Sequence, residues 1–143
     1  MKKTGGEYGM KVKRFLRVIF FLCVASLCLP WFTYNARVMG YRWGLMFAKW
    51  YALPFALVGI HLFGKKKGEL TAVLGEIAVL ANLVISAVVF GRWQEFCNIA
   101  AGFRWLDGFR TAQPGFWIAA ILMVMLFAAF QVEFCRRSEE TLA

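Results

Sequence analysis

The chain is poor in the residues that most enzymes work with. Among its 143 residues there is one histidine, His61, and one aspartate, Asp107. A metal-binding cluster or a Ser-His-Asp triad is implausible on that supply. The four cysteines, Cys23, Cys28, Cys97 and Cys135, form no CxxC pair, so thiol-redox and zinc sites lack their usual spacing. Neither a phosphate-binding P-loop nor a GxGxxG run is present, and no cofactor is expected. Internal repeats and low-complexity tracts are also missing, so residues 1–143 read as a single transmembrane domain. Charge is sparse as well: 17% of residues are charged, against about 25% in soluble domains.

What fills the space is apolar. The apolar fraction is 61%, above the 45–50% or so of soluble domains. A globule of ~150 residues buries only about 70% of the surface its unfolded chain exposes, so a single soluble domain cannot hide this much. Intrinsic disorder is excluded by the same composition. A bilayer is the solvent that fits.

The apolar residues fall in four stretches, about 15–33, 44–63, 70–90 and 115–134. A helix needs about 20 such residues to cross the hydrocarbon, and all four stretches are long enough. None alternates with period 2, which favours helices over a closed barrel. The first stretch follows a basic segment, as a signal peptide would. It is longer than the usual apolar core of one, and no small-x-small site follows it, so an uncleaved span is expected. The fold class expected is all-α: a four-span (tetraspan) membrane bundle, with an amphipathic interfacial helix between spans three and four.

Basic residues set the orientation. The N-terminal segment, Lys65-Lys66-Lys67 and Arg136-Arg137 hold 11 of the 17 Lys and Arg residues. With four spans these segments lie on one side, and the Lys/Arg excess marks that side as cytoplasmic. Both termini are therefore expected in the cytoplasm, in a plasma or bacterial inner membrane. Lys2, Arg14 and Arg17 belong to this inner set, and Arg37, Arg42, Arg92, Arg104 and Arg110 to the outer one. The net charge of +9 is then an orientation signal with affinity for anionic inner-leaflet lipids, not a nucleic-acid signal.

Trp31, Trp43, Trp50, Trp93, Trp105 and Trp117 all fall near the outer ends of the spans or in the outer loops, with Tyr34, Tyr41 and Tyr51. Such residues favour membrane–water interfaces. Two readings follow: an ordinary aromatic belt, or an outer docking surface built on Trp31, Trp43, Trp93, Trp105, Phe96 and Phe103. The first outer loop is short, with turn residues at Asn35 and Gly40. In the second, Phe96, Ile99, Ala100, Phe103 and Leu106 recur at helical spacing, which predicts an amphipathic helix over about 93–110.

Ionisable and polar residues inside a membrane are the best pointers to function. Four stand out: Lys49 in span two, His61 at its inner end, and Glu76 and Asn82 in span three. Lys49 can snorkel outward. Glu76 cannot do so as well and needs a partner or a proton. His61 is the expected partner, because spans two and three form a hairpin through Gly64–Gly68. Such a pair either ties two helices together or holds a proton. Gly75, Ala78, Asn82 and Ser86 make a stripe of small and polar residues along span three, the kind that lets helices approach closely. Glu133 is expected to form a local ion pair with Arg136 or Arg137. Two functions follow. One is a non-enzymatic accessory or scaffold subunit of a membrane complex, bound to other subunits or to itself. The other is a small homo-oligomeric transporter or channel using Glu76, His61 and Lys49.

Overall fold

The computed structural model describes residues 3–33, 40–65, 68–99 and 102–142. Lys2, Tyr34, Asn35, Arg37, Lys66, Lys67 and Ala100, read above for charge, turn or aromatic pattern, lie outside the described residues.

The chain is mostly helical. In α1 (Lys3–Ser26) the buried residues Leu16, Ile19, Phe20, Cys23 and Ser26 recur at three- and four-residue steps, one stripe of a helix. Phe15, Val18, Phe21 and Leu22 occupy the exposed face, where a helix facing water would carry polar residues. The same inversion recurs on α3 (Glu69–Phe96), with Ile77, Leu80 and Val84 outside, and on α5 (Pro114–Leu142), with Ile118, Ile121 and Val124 outside. An apolar outer surface around an apolar core is what hydrocarbon solvent selects.

The first apolar stretch is not one helix to residue 33. Ser26 Oγ donates to the Cys23 carbonyl (2.6 Å). The next N–H groups bond three residues back, Leu27 to Val24 and Cys28 to Ala25, which tightens and ends the helix. Pro30 has no N–H to offer a further turn. The chain then becomes β1 (Pro30–Thr33), paired antiparallel with β2 (Tyr41–Trp43), Phe32 lying opposite Arg42 and Thr33 opposite Tyr41. The apolar part of α1, residues 15–26, is therefore about 18 Å long, short of a ~30 Å hydrocarbon core. Among the described residues three helical segments are long and apolar enough to cross a membrane: Gly44–Phe63, Glu69–Phe96 and Pro114–Leu142. The first of these joins a short 3-10 turn (Gly44–Phe47) to α2 (Ala48–Phe63), which continues through Pro54.

The predicted interfacial helix over 93–110 is not continuous either. α3 runs on to Phe96, and the chain then turns through Asn98 (φ 56°) and Gly102 (φ 89°), both in the left-handed region. Such residues end a right-handed helix. Only the seven residues of α4 (Trp105–Thr111) resume it. Gly108 brings α4 onto α3: a Cβ there would lie 2.6 Å from the Phe90 carbonyl oxygen.

The four long helices close into a ring. α2 packs on α3, α3 on α5, α5 on α1, and α1 on α2. At one end Gly9 lies against the Arg136 guanidinium, and at the other Gly115 lies against Leu29 and the Pro30 carbonyl. The beginning of α1 and the end of α5 thus share one end of the bundle. We refer to it as the inner end, because it carries Lys11, Lys13, Arg14, Lys65, Arg136 and Arg137.

Candidate functional site

At the inner end, α2, α3 and α5 bring four ionisable side chains around one small cavity of about 10 Å³. It is lined by His61, Ala72, Glu76, Phe130, Glu133, Phe134 and Arg137. His61 comes from the last turn of α2 and is 5% exposed. Its approach depends on Gly75, whose Cβ would sit 3.3 Å from the His61 Cβ and 3.2 Å from the Phe130 ring. The imidazole lies 5.5 Å from the Phe130 ring, centroid to centroid. Glu133 is buried, and Arg137, one turn on, donates to its carboxylate at 3.0 Å. Glu76 adds a second carboxylate, with Oε2 shielded from solvent and without a hydrogen-bond partner among the described residues. The cavity volume is close to the minimum that holds one water. Chemically the cluster can tie three helices together, or hold a proton between a carboxylate and an imidazole.

Sequence spacing brings His61 and Glu76 to the same cavity through the α2–α3 hairpin. Glu133 and Arg137 were read only as an ion pair at the boundary. Their i,i+4 spacing was visible, but their proximity to Glu76 depends on α3 packing against α5, which no local pattern shows.

Asn82 sits six residues, or ~9 Å, further along α3. It is 1% exposed, and neither its Oδ1 nor its Nδ2 has a partner among the described residues. One turn beyond, Ser86 Oγ donates to the Asn82 carbonyl (2.8 Å) and lies 2.9 Å from the Tyr51 hydroxyl and 3.0 Å from Met123 Sδ. Gly75, Ala78, Asn82 and Ser86 are all buried, so the stripe faces the bundle interior. The Tyr51–Ser86 link joins α2 to α3 across 35 positions and left no trace in the sequence pattern. Lys49 stands apart: it is exposed in the first turn of α2, with Nζ 5.3 Å from the Trp50 ring. The structure does not bring it to His61, Glu76 or Asn82.

The outer end is filled with rings. Trp31, Phe32, Phe47, Tyr51, Trp93 and Phe116 are all buried. Phe32 stacks on Trp93 at 5.1 Å, Trp31 stacks on Phe47 at 5.9 Å, and Phe116 meets Phe32 at 5.0 Å. Trp31 Nε1 donates to the Ser26 carbonyl and Trp93 Nε1 to Thr111 Oγ1, both at 3.0 Å. Trp31 and Trp93 therefore belong to the core and not to an outer docking surface, because each indole N–H finds its partner inside. Phe96 is half-buried against Trp50 (5.5 Å). Trp43, Phe103 and Trp105 remain exposed, each by nearly half. A Thr111→Val variant keeps the shape but strands the Trp93 N–H. A loss of about 1 kcal/mol is expected, read by equilibrium unfolding in mixed micelles, with α4 loosened first.

Cys97, just past α3, is half-buried, and burial pushes its thiol pKa up, opposed in part by the Arg42 charge. A raised pKa leaves less thiolate and a sluggish nucleophile. Among the described residues no group of three or more His, Cys, Asp or Glu could hold a metal ion. Compared with known protein families, curated proteins and solved structures, the chain matches none.

Proposed function

We propose that the chain is an integral protein of a plasma or bacterial inner membrane that crosses four times with both termini in the cytoplasm. In this reading it acts as a non-enzymatic accessory or scaffold subunit of a larger membrane complex. The observation that carries the role is the outer end filled by Trp31, Phe32, Phe47, Tyr51, Trp93 and Phe116. A substrate path through this chain would have to open there, against packing that resembles a protein core.

The fourth crossing is supported by the pairing of α1 with α5. Their contacts run from Gly9–Arg136 to Pro30–Gly115. The 21 residues of α5 between those points span ~32 Å, about the thickness of the hydrocarbon. α1 and the turn after it accompany α5 over that whole length, so if α5 crosses, they cross beside it. Arg17 reaches the Leu62 carbonyl (3.3 Å) at the inner end of α2, a satisfied position for a cation near the boundary. The clustered basic residues favour the cytoplasm and anionic lipids for this end. α4 fits an interfacial helix: Trp105, Leu106 and Phe109 are exposed while Gly108 and Thr111 are buried.

Partners would be other membrane subunits or further copies, meeting the apolar outer faces or the exposed Trp43, Phe103 and Trp105. The test is purification in native lipid, identification of what co-purifies, and reconstitution for flux. A stoichiometric membrane partner without flux is the expected result. The cavity shared by His61, Glu76 and Glu133 favours a second reading, a small proton- or ion-coupled transporter. Flux that disappears in Glu76→Gln would establish that reading in place of the first.

A further inference from the structure

We propose that the cavity at Glu76 is the closed end of an aqueous inlet from the inner face, through which Glu76 takes up and releases one proton. A larger space, of about 560 Å³, lies at the inner end between the start of α3 and the end of α5. Glu69, Ser138, Glu140 and Thr141 stand at its mouth, all exposed. It shares Ala72, Phe134 and Arg137 with the cavity of His61, Glu76 and Glu133, so the two spaces adjoin across those three side chains. From Glu69 to Glu76 the way in is ~10 Å along α3. At roughly 30 Å³ per water the larger space has room for about ten or more, and its wall supplies the polar partners that water needs.

The inlet goes no further. One turn outward from His61, Glu76 and Phe130 stand Val58, Val79 and Leu126, all fully buried. An apolar layer offers no group to relay a proton, so exchange is with the inner face alone. The charges around the cavity leave Glu76 as the group that exchanges. Arg137, the one guanidinium lining it, donates to Glu133. Arg17 of α1 is committed to the Leu62 carbonyl, and Arg136 to Glu140. Glu76 Oε2 is shielded from solvent, where an ionised carboxylate is costly. A proton delivered by inlet water converts that carboxylate to a carboxylic acid, and release returns it to the same water. His61, on the same cavity from α2, couples to that exchange.

The inference rests on the proposed crossing, with both termini in the cytoplasm, and on neither role. Labelling of Cys135 tests that orientation separately. Proton uptake without flux leaves the scaffold role standing, so the site and the role can fail independently.

The experiment is infrared spectroscopy of the full chain in sealed, right-side-out phosphatidylcholine vesicles, which hold the inner end in the lumen. It reads the carboxylic-acid C=O band as the difference between wild type and Glu76→Gln. Acid added outside is expected to leave that difference unchanged. A proton ionophore added next is expected to raise it by one carboxyl per chain. Ala72→Leu, on the wall shared by the two spaces, is expected to slow exchange of that proton for deuterium at least tenfold. A difference that follows the external pH at once would overturn the proposal. So would a difference that is absent or that pH never changes, or equal exchange rates in wild type and Ala72→Leu.

Discussion

Replacing Trp31 by alanine is expected to destabilise the bundle by about 3–5 kcal/mol. The indole is fully buried and meets Phe47, Tyr51 and Phe116 at 5.6–5.9 Å. Lipid tails are as apolar as a leucine side chain, so transfer out of water contributes little to holding membrane helices together. What the ring supplies is packing, and a void forfeits those contacts outright. Trp31→Phe separates the two contributions. It keeps a ring in the cluster and loses the bond to the Ser26 carbonyl, and a cost of about 1 kcal/mol is expected. Equilibrium unfolding in mixed micelles reads both. Equal, small losses for the two variants would mean that the ring cluster is not what seals this end.

The second effect has the opposite sign. Asn82→Leu is expected to stabilise the bundle by about 1 kcal/mol, the cost of a buried amide left without partners less the strain of fitting a bulkier side chain. Leu has the branching and the heavy-atom count of Asn but is bulkier, so the substitution removes an orphaned polar group and opens no void, while the neighbouring side chains must shift to fit it. A loss of stability in Asn82→Leu would show that the amide is satisfied by something outside the described residues, such as a partner subunit or the chain's own loops. A functional Asn82 would show itself differently, through a stabilised protein that no longer supports its complex.

These two residues also mark what the sequence could and could not convey. Asn82 lies on a stripe with Gly75, Ala78 and Ser86, and helical periodicity alone places that stripe on one face. Trp31 was read as part of an outer aromatic surface. Its position along the membrane normal was legible, but the direction of its ring was not. Composition says that tryptophan favours an interface, and only the fold says whether the indole N–H faces water or a backbone carbonyl. The end of α1 was missed because an apolar run carries no mark of where helix yields to strand. Pro30 was the one available signal, and its pairing partner lies 13 positions on, at Trp43. The spacing of Phe96, Ile99, Phe103 and Leu106 suited a helix, but Asn98 and Gly102 adopt left-handed backbone that interrupts it. The cavity around His61 and Glu76 was half visible. A short hairpin brings α2 and α3 together, whereas Glu133 and Arg137 arrive from a helix more than 50 residues away.

The number of crossings turns on α1. Among the described residues three segments are long and apolar enough to cross by themselves, and in the proposed four-span bundle α1 would cross only as the companion of α5. Cysteine accessibility in sealed, right-side-out vesicles decides this most directly. In a chain otherwise free of cysteine, Gly6→Cys places a thiol in open space near the start of α1. Cys135 reports the inner end of α5 and Leu106→Cys the exposed face of α4. A membrane-impermeant maleimide is expected to label Leu106→Cys at once, and Gly6→Cys and Cys135 only after the membrane is permeabilised. Labelling of Gly6→Cys from outside, with Cys135 still protected, would mean that α1 does not cross beside α5, and it would contradict the four-span bundle.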